Sequence, residues 1–259
     1  MDIEHISVSR KGCWDLCKQQ YKYRYHLKII PEGEQPFYFT YGKIIHKIAE
    51  IYVGRRGQSS LQECVKDVME QRIPVEEGYQ DKPPVFAVPL EPDYAKRMPG
   101  HLRALQKLTD QIGFGGILEH EFRFDLDPPH ERYIKGFIDR LIQKGDQFFI
   151  IDYKTSKKNR FRKNRLTIRT DLQLRMYAKV VQREFDVPAK NIYAALHYLE
   201  GGDLIGARYT QESIDAAEQE LLEAYKQIEE TSPDDAWGNV GDHCYRCDYR
   251  DRCPFLRIT

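Results

Sequence analysis

Tyr133-Ile134-Lys135-Gly136-Phe137-Ile138-Asp139-Arg140-Leu141-Ile142 and Gln147-Phe148-Phe149-Ile150-Ile151-Asp152-Tyr153-Lys154 are two largely apolar runs, divided by a polar stretch that contains Gly145-Asp146. A Gly-Asp pair in this setting reads as a two-residue hairpin loop. Pairing outward from the loop sets Lys144 opposite Gln147 and brings Asp139 opposite Asp152, with Cα atoms roughly 4.5 to 5.5 Å apart. Side chains alternate along a strand, so Lys154 shares the face of Asp152 with Phe137, Leu141, Phe148 and Ile150. Two like charges facing each other on a half-buried surface are destabilising unless something positive lies between them. A divalent cation meets that requirement. Oxygen ligands suit Mg²⁺ or Mn²⁺, and a lysine beside them can orient or help deprotonate a water, or stabilise negative charge on a phosphate. That is the chemistry of phosphodiester hydrolysis.

Three further stretches bear on this site. From Gly42 to Glu50, with flanking Tyr41 and Tyr52, apolar residues at 41, 44, 45, 48 and 52 form the stripe of an amphipathic helix, and His46 and Glu50 share another face. A lone helix histidine is usually structural or solvated; only the company of the aspartates makes His46 a candidate ligand, chemically reasonable for Mn²⁺. Gln173 and Tyr177, at i and i+4, fall on one helical face, which without the upstream motifs reads as the polar edge of a core helix. Glu121 belongs to a run, Glu119 to Phe124, on the strand before the hairpin. It is either a group that supports the site or an exposed strand position, and Glu119 has the same parity.

In these residues the sequence resembles the PD-(D/E)xK nuclease superfamily, and more narrowly its RecB-like branch, which includes the iron-sulfur CRISPR-associated exonucleases. Gly136 to Asp139 and Ile150 to Thr155 match the two central motifs; the proline that names the family is replaced by Ile138, as in many RecB-like members. The resemblance implies an α/β fold, an α+β mixed sheet with a restriction-endonuclease-like core and a helical insert at about 59–112. It implies that His46, Asp139, Asp152 and the Tyr153 carbonyl hold Mg²⁺ or Mn²⁺ and that Lys154 positions the attacking water. It also implies that Gln173 and Tyr177 lie near the active site and the DNA, with an acidic residue at Glu121.

The cysteines form an independent signal. Cys244-Tyr245-Arg246-Cys247 and Cys253-Pro254 give C-x2-C-x5-C, while Cys13 and Cys17 lie far away. In the iron-sulfur relatives, one N-terminal cysteine joins such a trio around a [4Fe-4S] cluster. Cys17 fits better than Cys13, since Ser7-Val8-Ser9 precedes it at the family distance and Tyr21 follows, but Lys18 stands where a proline is usual and both stay open. Four thiolates can equally hold zinc, and disulfides are the third reading. Either metal would close a loop of more than two hundred residues. Cys64 reads as an ordinary thiol.

Lys+Arg and Asp+Glu both number 40 among 259 residues, so affinity for nucleic acid must come from local segregation of charge. Thr155 to Thr170 supplies it: Lys157, Lys158, Arg160, Arg162, Lys163, Arg165 and Arg169 occur with no acid. This run is either a solvated loop or a phosphate-binding segment beside Lys154. Phe161 and the series Tyr21 to His26 can stack on bases, or the tyrosines can pack in the core. Gln211 to Glu230 is conversely rich in Glu and reads as the solvated face of a helix. No apolar run is long enough to span a membrane and no cleavable signal is read at Met1 to Glu4, so a cytoplasmic enzyme of a bacterium, archaeon or phage is expected.

The expected order is a first helix capped by Ser9 and running toward Leu27, the His46 helix, the insert broken by Pro74 and by Pro83 to Pro92, and strands at 117–125, 132–143 and 147–154. The Gln173 helix, a hairpin around Gly201-Gly202-Asp203 and a last helix follow. One domain, 1–259, is expected. The reading is a metal-dependent DNA nuclease, an exonuclease preferring single strands or frayed ends in recombination, repair or CRISPR adaptation. No Walker-type loop is present, so unwinding falls to a helicase or another partner. The alternative is a catalytically idle subunit that binds DNA or protein; two retained aspartates and Lys154 argue against it, because a buried charge cluster is costly to keep.

Overall fold

The structure, a computed structural model, describes residues 1, 3–31, 37–70, 90–127, 130–157 and 162–256. In chain order its main elements are α1 (Val8–Leu16), α2 (Lys18–Tyr21) followed by a π-helical turn at Lys22–His26, α3 (Phe37–Gly54), α4 (Leu61–Met69) and α5 (Pro92–Ile112). There follow β1 (Ile117–Asp127), β2 (Arg132–Lys144), β3 (Gln147–Lys154), α6 (Leu172–Phe185), β4 (Ile192–Tyr198), β5 (Asp203–Arg208) and α7 (Gln211–Glu230). The described strands form one mixed sheet in the order β1-β2-β3-β4-β5. Two compact units are distinguished: Met1–Glu34, Glu121–Gly136 and Gln211–Thr259 make the first, and Gln35–His120 and Phe137–Thr210 the second.

The second unit is built on the hairpin. Lys144 pairs with Gln147, and the register runs outward to Arg140 opposite Ile151, as the Gly145-Asp146 loop requires. Gly145 takes φ of 61°, a left-handed conformation that costs glycine little. β4 lies parallel to β3, a pairing that needs a crossover, and α6 supplies it. Asp171 caps α6 by accepting from the Leu174 amide at 3.0 Å. Both faces of β3 are covered. Ile151 and Tyr153 join a core with Tyr41, Ile44, Ile45, Ile48 and Tyr52 of α3, the whole stripe read from the sequence. Phe148, on the opposite parity, stacks on Phe185 of α6.

The insert provides α4, with a capping box between Ser60 and Glu63, and α5, with Pro92 in its first turn where a missing N–H is harmless. Cys64 is buried in the α3–α5 core. The expected breaks at Pro74 and at Pro83-Pro84 fall outside the described residues.

In the first unit the helix expected to run from Ser9 to Leu27 differs in two ways. Ser7, not Ser9, caps α1 by accepting from the Arg10 amide, and the helix breaks at Cys17, whose backbone is extended (φ −164°, ψ 111°). Unbroken helical geometry would have carried Cys17 around the axis. Instead its Sγ accepts from the Asn239 amide at 3.5 Å. α7 buries Ile214, Leu221, Tyr225 and Ile228 and leaves its glutamates largely outside, as read from the sequence. Tyr225 donates to the Ile3 carbonyl at 2.7 Å, and Lys11 reaches Glu220 at 3.2 Å, so chain-distant segments meet here.

Candidate active site and cysteine pocket

Asp139 on β2, Asp152 and Lys154 on β3, and His46 on α3 converge in the second unit. Asp139 is buried; its Oδ2 accepts the Tyr153 amide at 2.7 Å and its Oδ1 lies 3.2 Å from His46 Nδ1. Asp152 is 3% exposed and its Oδ2 meets Lys154 Nζ at 2.6 Å. The two carboxylates therefore each have a positive or potentially positive partner from the chain itself, which is how a repulsive pair is tolerated in a core. Lys154 also donates to Gln173 Oε1 at 3.1 Å, Gln173 donates to Tyr177 at 2.7 Å, and Tyr177 donates to the Phe137 carbonyl at 2.6 Å. This chain of bonds runs from the lysine across α6 and back to β2, so Gln173 and Tyr177 brace Lys154.

Environment splits the two acids. Burial pushes Asp152 up to about 6, with the Asp139 charge adding to the rise and Lys154 opposing it. Burial also works against an Asp139 charge, but His46, the Tyr153 amide and Lys154 outweigh it and hold that carboxyl below its usual range. Lys154 is likewise desolvated, yet the facing carboxylates raise its pKa. One carboxyl is thus firmly ionised and the other poised, a state that an added cation would relieve. The donor set, two carboxylates and an imidazole, suits Mg²⁺ or Mn²⁺. Among the described residues no three His, Cys, Asp or Glu side chains are drawn together as a ligand set; His46 and Lys154 occupy the carboxylates instead.

Several expected residues stand elsewhere. Glu121 is exposed on β1 and ion-paired with Lys135 at 2.6 Å, since its parity points it away from Phe122 and Phe124, which are buried; it is an outward strand position. Nothing of the Glu119 side chain is described. In the basic segment, Lys158, Arg160 and Phe161 lie outside the described residues. Arg162 is not open for phosphate: its side chain, 8% exposed, bonds to Asp203 and to the carbonyls of Ser156 and Glu200, and stacks on Tyr198. Lys163 lies 3.5 Å from Asp171, the cap of α6, and Lys157 pairs with Asp93. These three cations of a run without acids in sequence find their acids in space. Tyr21 is fully buried against Trp14 and Tyr25, and Tyr23 stacks on Tyr249 while donating to the Arg252 carbonyl, so of the two readings of that series the tyrosines take the packing one.

The sequence reading missed a second polar cluster. Arg97 of α5 donates to Glu200 at 3.0 Å and to the Thr155 carbonyl at 2.8 Å, while His101, 1% exposed, bridges Glu200 at 2.9 Å and Tyr41 at 2.8 Å. It ties the insert to the residue that follows Lys154. No local spacing could reveal it, because Arg97 and Glu200 are 103 positions apart. Arg140, 1% exposed next to Asp139, donates to the carbonyls of Gly113 and Gly115 and so fastens the loop before β1 to the hairpin.

In the first unit Cys17, Cys244, Cys247 and Cys253 line one small cavity, with His243 beside them. The Gly241 amide points at Cys244 Sγ at 3.4 Å, as the Asn239 amide does at Cys17. Burial raises Cys247, and burial pushes Cys13 up to about 12; Cys13 is not among the residues lining the cavity. All six cysteines are free thiols, which sets disulfides aside in this structure.

The hairpin of β2 and β3 thus carries two buried carboxylates and a lysine, with the crossover helix α6 packed beside them. The model of the PD-(D/E)XK nuclease superfamily matches residues 5–254, and the chain belongs to that superfamily. Such nucleases generally use Mg²⁺ or Mn²⁺. The crystal structure of a protein described as "Putative exonuclease" from Eubacterium rectale superposes with a TM-score of 0.57 at 11% identity, covering 99% of this chain and 88% of that one. At that identity the likeness speaks for the fold alone. The crystal structure of SSO0001 matches at a TM-score of 0.40 and 14% identity over 92% of this chain and 94% of that one, too low to argue from. No curated protein matches. No described helix is long and apolar enough to cross a membrane.

Proposed function

We propose that this nuclease is a metal-dependent deoxyribonuclease that degrades DNA from single-stranded or frayed ends, with Asp139, Asp152, His46 and the Tyr153 carbonyl as ligands of Mg²⁺ or Mn²⁺. The observation that carries the reading is the pair of buried carboxylates, Asp139 beside His46 and Asp152 beside Lys154. Bound there, the ion supplies Lewis acidity to the scissile phosphate. Asp139 is kept ionised by its own hydrogen bonds and is ready to bind. Asp152 would help hold the ion, and Lys154 Nζ, braced by Gln173, would donate to the attacking water and face the charge that develops on the phosphate.

Cys17, Cys244, Cys247 and Cys253, which line one small cavity, would hold a [4Fe-4S] cluster, with zinc as the alternative for the same thiols. Its role is structural, fastening the amino-terminal helices to the carboxy-terminal segment within the first unit. Partners in recombination, repair or CRISPR adaptation would supply unwinding.

The test is cleavage of end-labelled single- and double-stranded DNA with Mn²⁺, with Mg²⁺ and with EDTA. Mononucleotides released progressively from single-stranded ends, only with metal, are expected. Internal nicking of closed circles at the same rate would overturn the exonuclease mode, and no cleavage under any condition would overturn the enzyme reading.

A further inference from the structure

Three cations of the basic segment after Lys154, Lys157, Arg162 and Lys163, are held in internal pairs, so a strand reaching the site would gain from a second cationic path. α5 offers one. Lys96, Arg103 and Lys107 are exposed, and their spacing of seven and four residues puts them on one face of the helix. Arg103 and Lys107 make no ion pair among the described residues. Along this face run two cavities of about 420 and 480 Å³ that share Gly100, Arg103, Leu199 and Gly201, so they form one groove between α5 and the turn that joins β4 to β5. Its acids are already committed: Glu200 to Arg97 and His101, Asp93 to Lys157. Three glycines, Gly100, Gly201 and Gly202, leave the groove without side chains at those points. His197 adds a polar floor, 1% exposed with no hydrogen-bond partner on Nδ1, and burial lowers its pKa to about 4, so it brings no charge.

The Leu199 amide donates to the Lys154 carbonyl at 2.9 Å and Arg97 holds the Thr155 carbonyl, so residues of the groove lie beside the end of β3. Eleven residues separate Lys96 from Lys107, about 16 Å along the axis, which at a stacked rise of about 3.4 Å accommodates roughly five nucleotides.

We infer that this groove carries single-stranded DNA between solvent and the end of β3, with Lys96, Arg103 and Lys107 as its phosphate contacts. The inference rests on the nuclease reading only for the identity of the strand. Binding without metal tests it apart from cleavage: anisotropy of labelled oligothymidylate and oligouridylate is followed across a salt series in EDTA. The proteins are the parent, an Arg103→Gln/Lys107→Gln variant, and a Lys144→Gln/Lys190→Gln control that removes the same charge elsewhere. Two lost contacts at about 0.7 each should flatten the groove variant's slope of log affinity against log salt by about 1.4 on oligothymidylate. The control should keep the parent slope. An unchanged slope in the groove variant, equal flattening in the control, or a parent that does not bind oligothymidylate would overturn the groove. Flattening on oligouridylate alone would overturn DNA as its occupant. A parent that binds this way yet cleaves nothing with Mn²⁺ would remove the nuclease reading and leave the groove standing.

Discussion

Replacing Asp139 by alanine and by asparagine separates two duties of one side chain. Its Oδ2 accepts the amide of Tyr153, a residue 2% exposed, and its Oδ1 sits beside His46. Alanine removes the acceptor and leaves that amide buried and unsatisfied, at a cost of about 1–3 kcal/mol. Both substitutions also relieve repulsion against Asp152, which works in the opposite direction but equally in each, so the difference between them isolates the hydrogen bond. Asparagine keeps an oxygen for the amide. For a chain of this size, about 2 kcal/mol corresponds to about 4–8 °C in Tm, so the alanine variant should melt that far below the asparagine variant in EDTA. Neither should cleave DNA with Mn²⁺, since both lose the anionic ligand. Thermal melts of the two metal-free proteins, run beside the cleavage assay, decide it. Equal melting temperatures would refute the structural role of the hydrogen bond, and an active asparagine variant would refute the ligand role.

Tyr177→Phe loses the hydroxyl that links Gln173 to the Phe137 carbonyl, and is expected to lower kcat about 10-fold or less while leaving metal affinity unchanged; a weakened metal titration would show that Tyr177 does not act through Lys154. His197 is held neutral by burial, with a folded pKa of about 4 against the usual 6.5. Below pH 6.5 the unfolded chain takes up the proton first, so this group contributes stability fully present above 6.5 and lost as pH falls toward 4, about 3 kcal/mol in all. Denaturant melts across that window should show a shallower acid decline for His197→Phe, and parallel declines would contradict the assignment. Anaerobically purified protein should be brown, and Cys244→Ser, Cys247→Ser or Cys253→Ser should bleach it and reduce soluble yield; a colourless protein with one zinc per chain would favour the alternative metal.

The hairpin was legible because its register follows from a two-residue loop and the alternation of a strand, both local properties. The same holds for the α3 stripe and for Gln173 and Tyr177, where the period of a helix names the face. What could not be read were pairings made across the fold. Glu121 looked equivocal because strand parity leaves open which face meets the core. Arg162 and Lys163 looked free because Asp203, Tyr198 and Asp171 reach them only through the β4–β5 turn and the start of α6. The break at Cys17 was invisible as well, since nothing in Leu16-Cys17-Lys18 disfavours a continuous helix; the extended residue is set by bonds to a segment more than two hundred positions away.

The assignment of Asp139, Asp152 and Lys154 to one metal-dependent phosphodiesterase centre is open to direct test. The direct measurement is the rate of cleavage of an end-labelled single strand by the parent and by Asp152→Asn across a Mn²⁺ titration, with Mn²⁺ binding followed by its electron paramagnetic resonance signal. Cleavage should saturate with Mn²⁺ binding in the parent, be absent in EDTA, and be lost in the variant together with tight Mn²⁺ binding. Parent-like cleavage by purified Asp152→Asn, or cleavage by the parent that persists in EDTA, would contradict it.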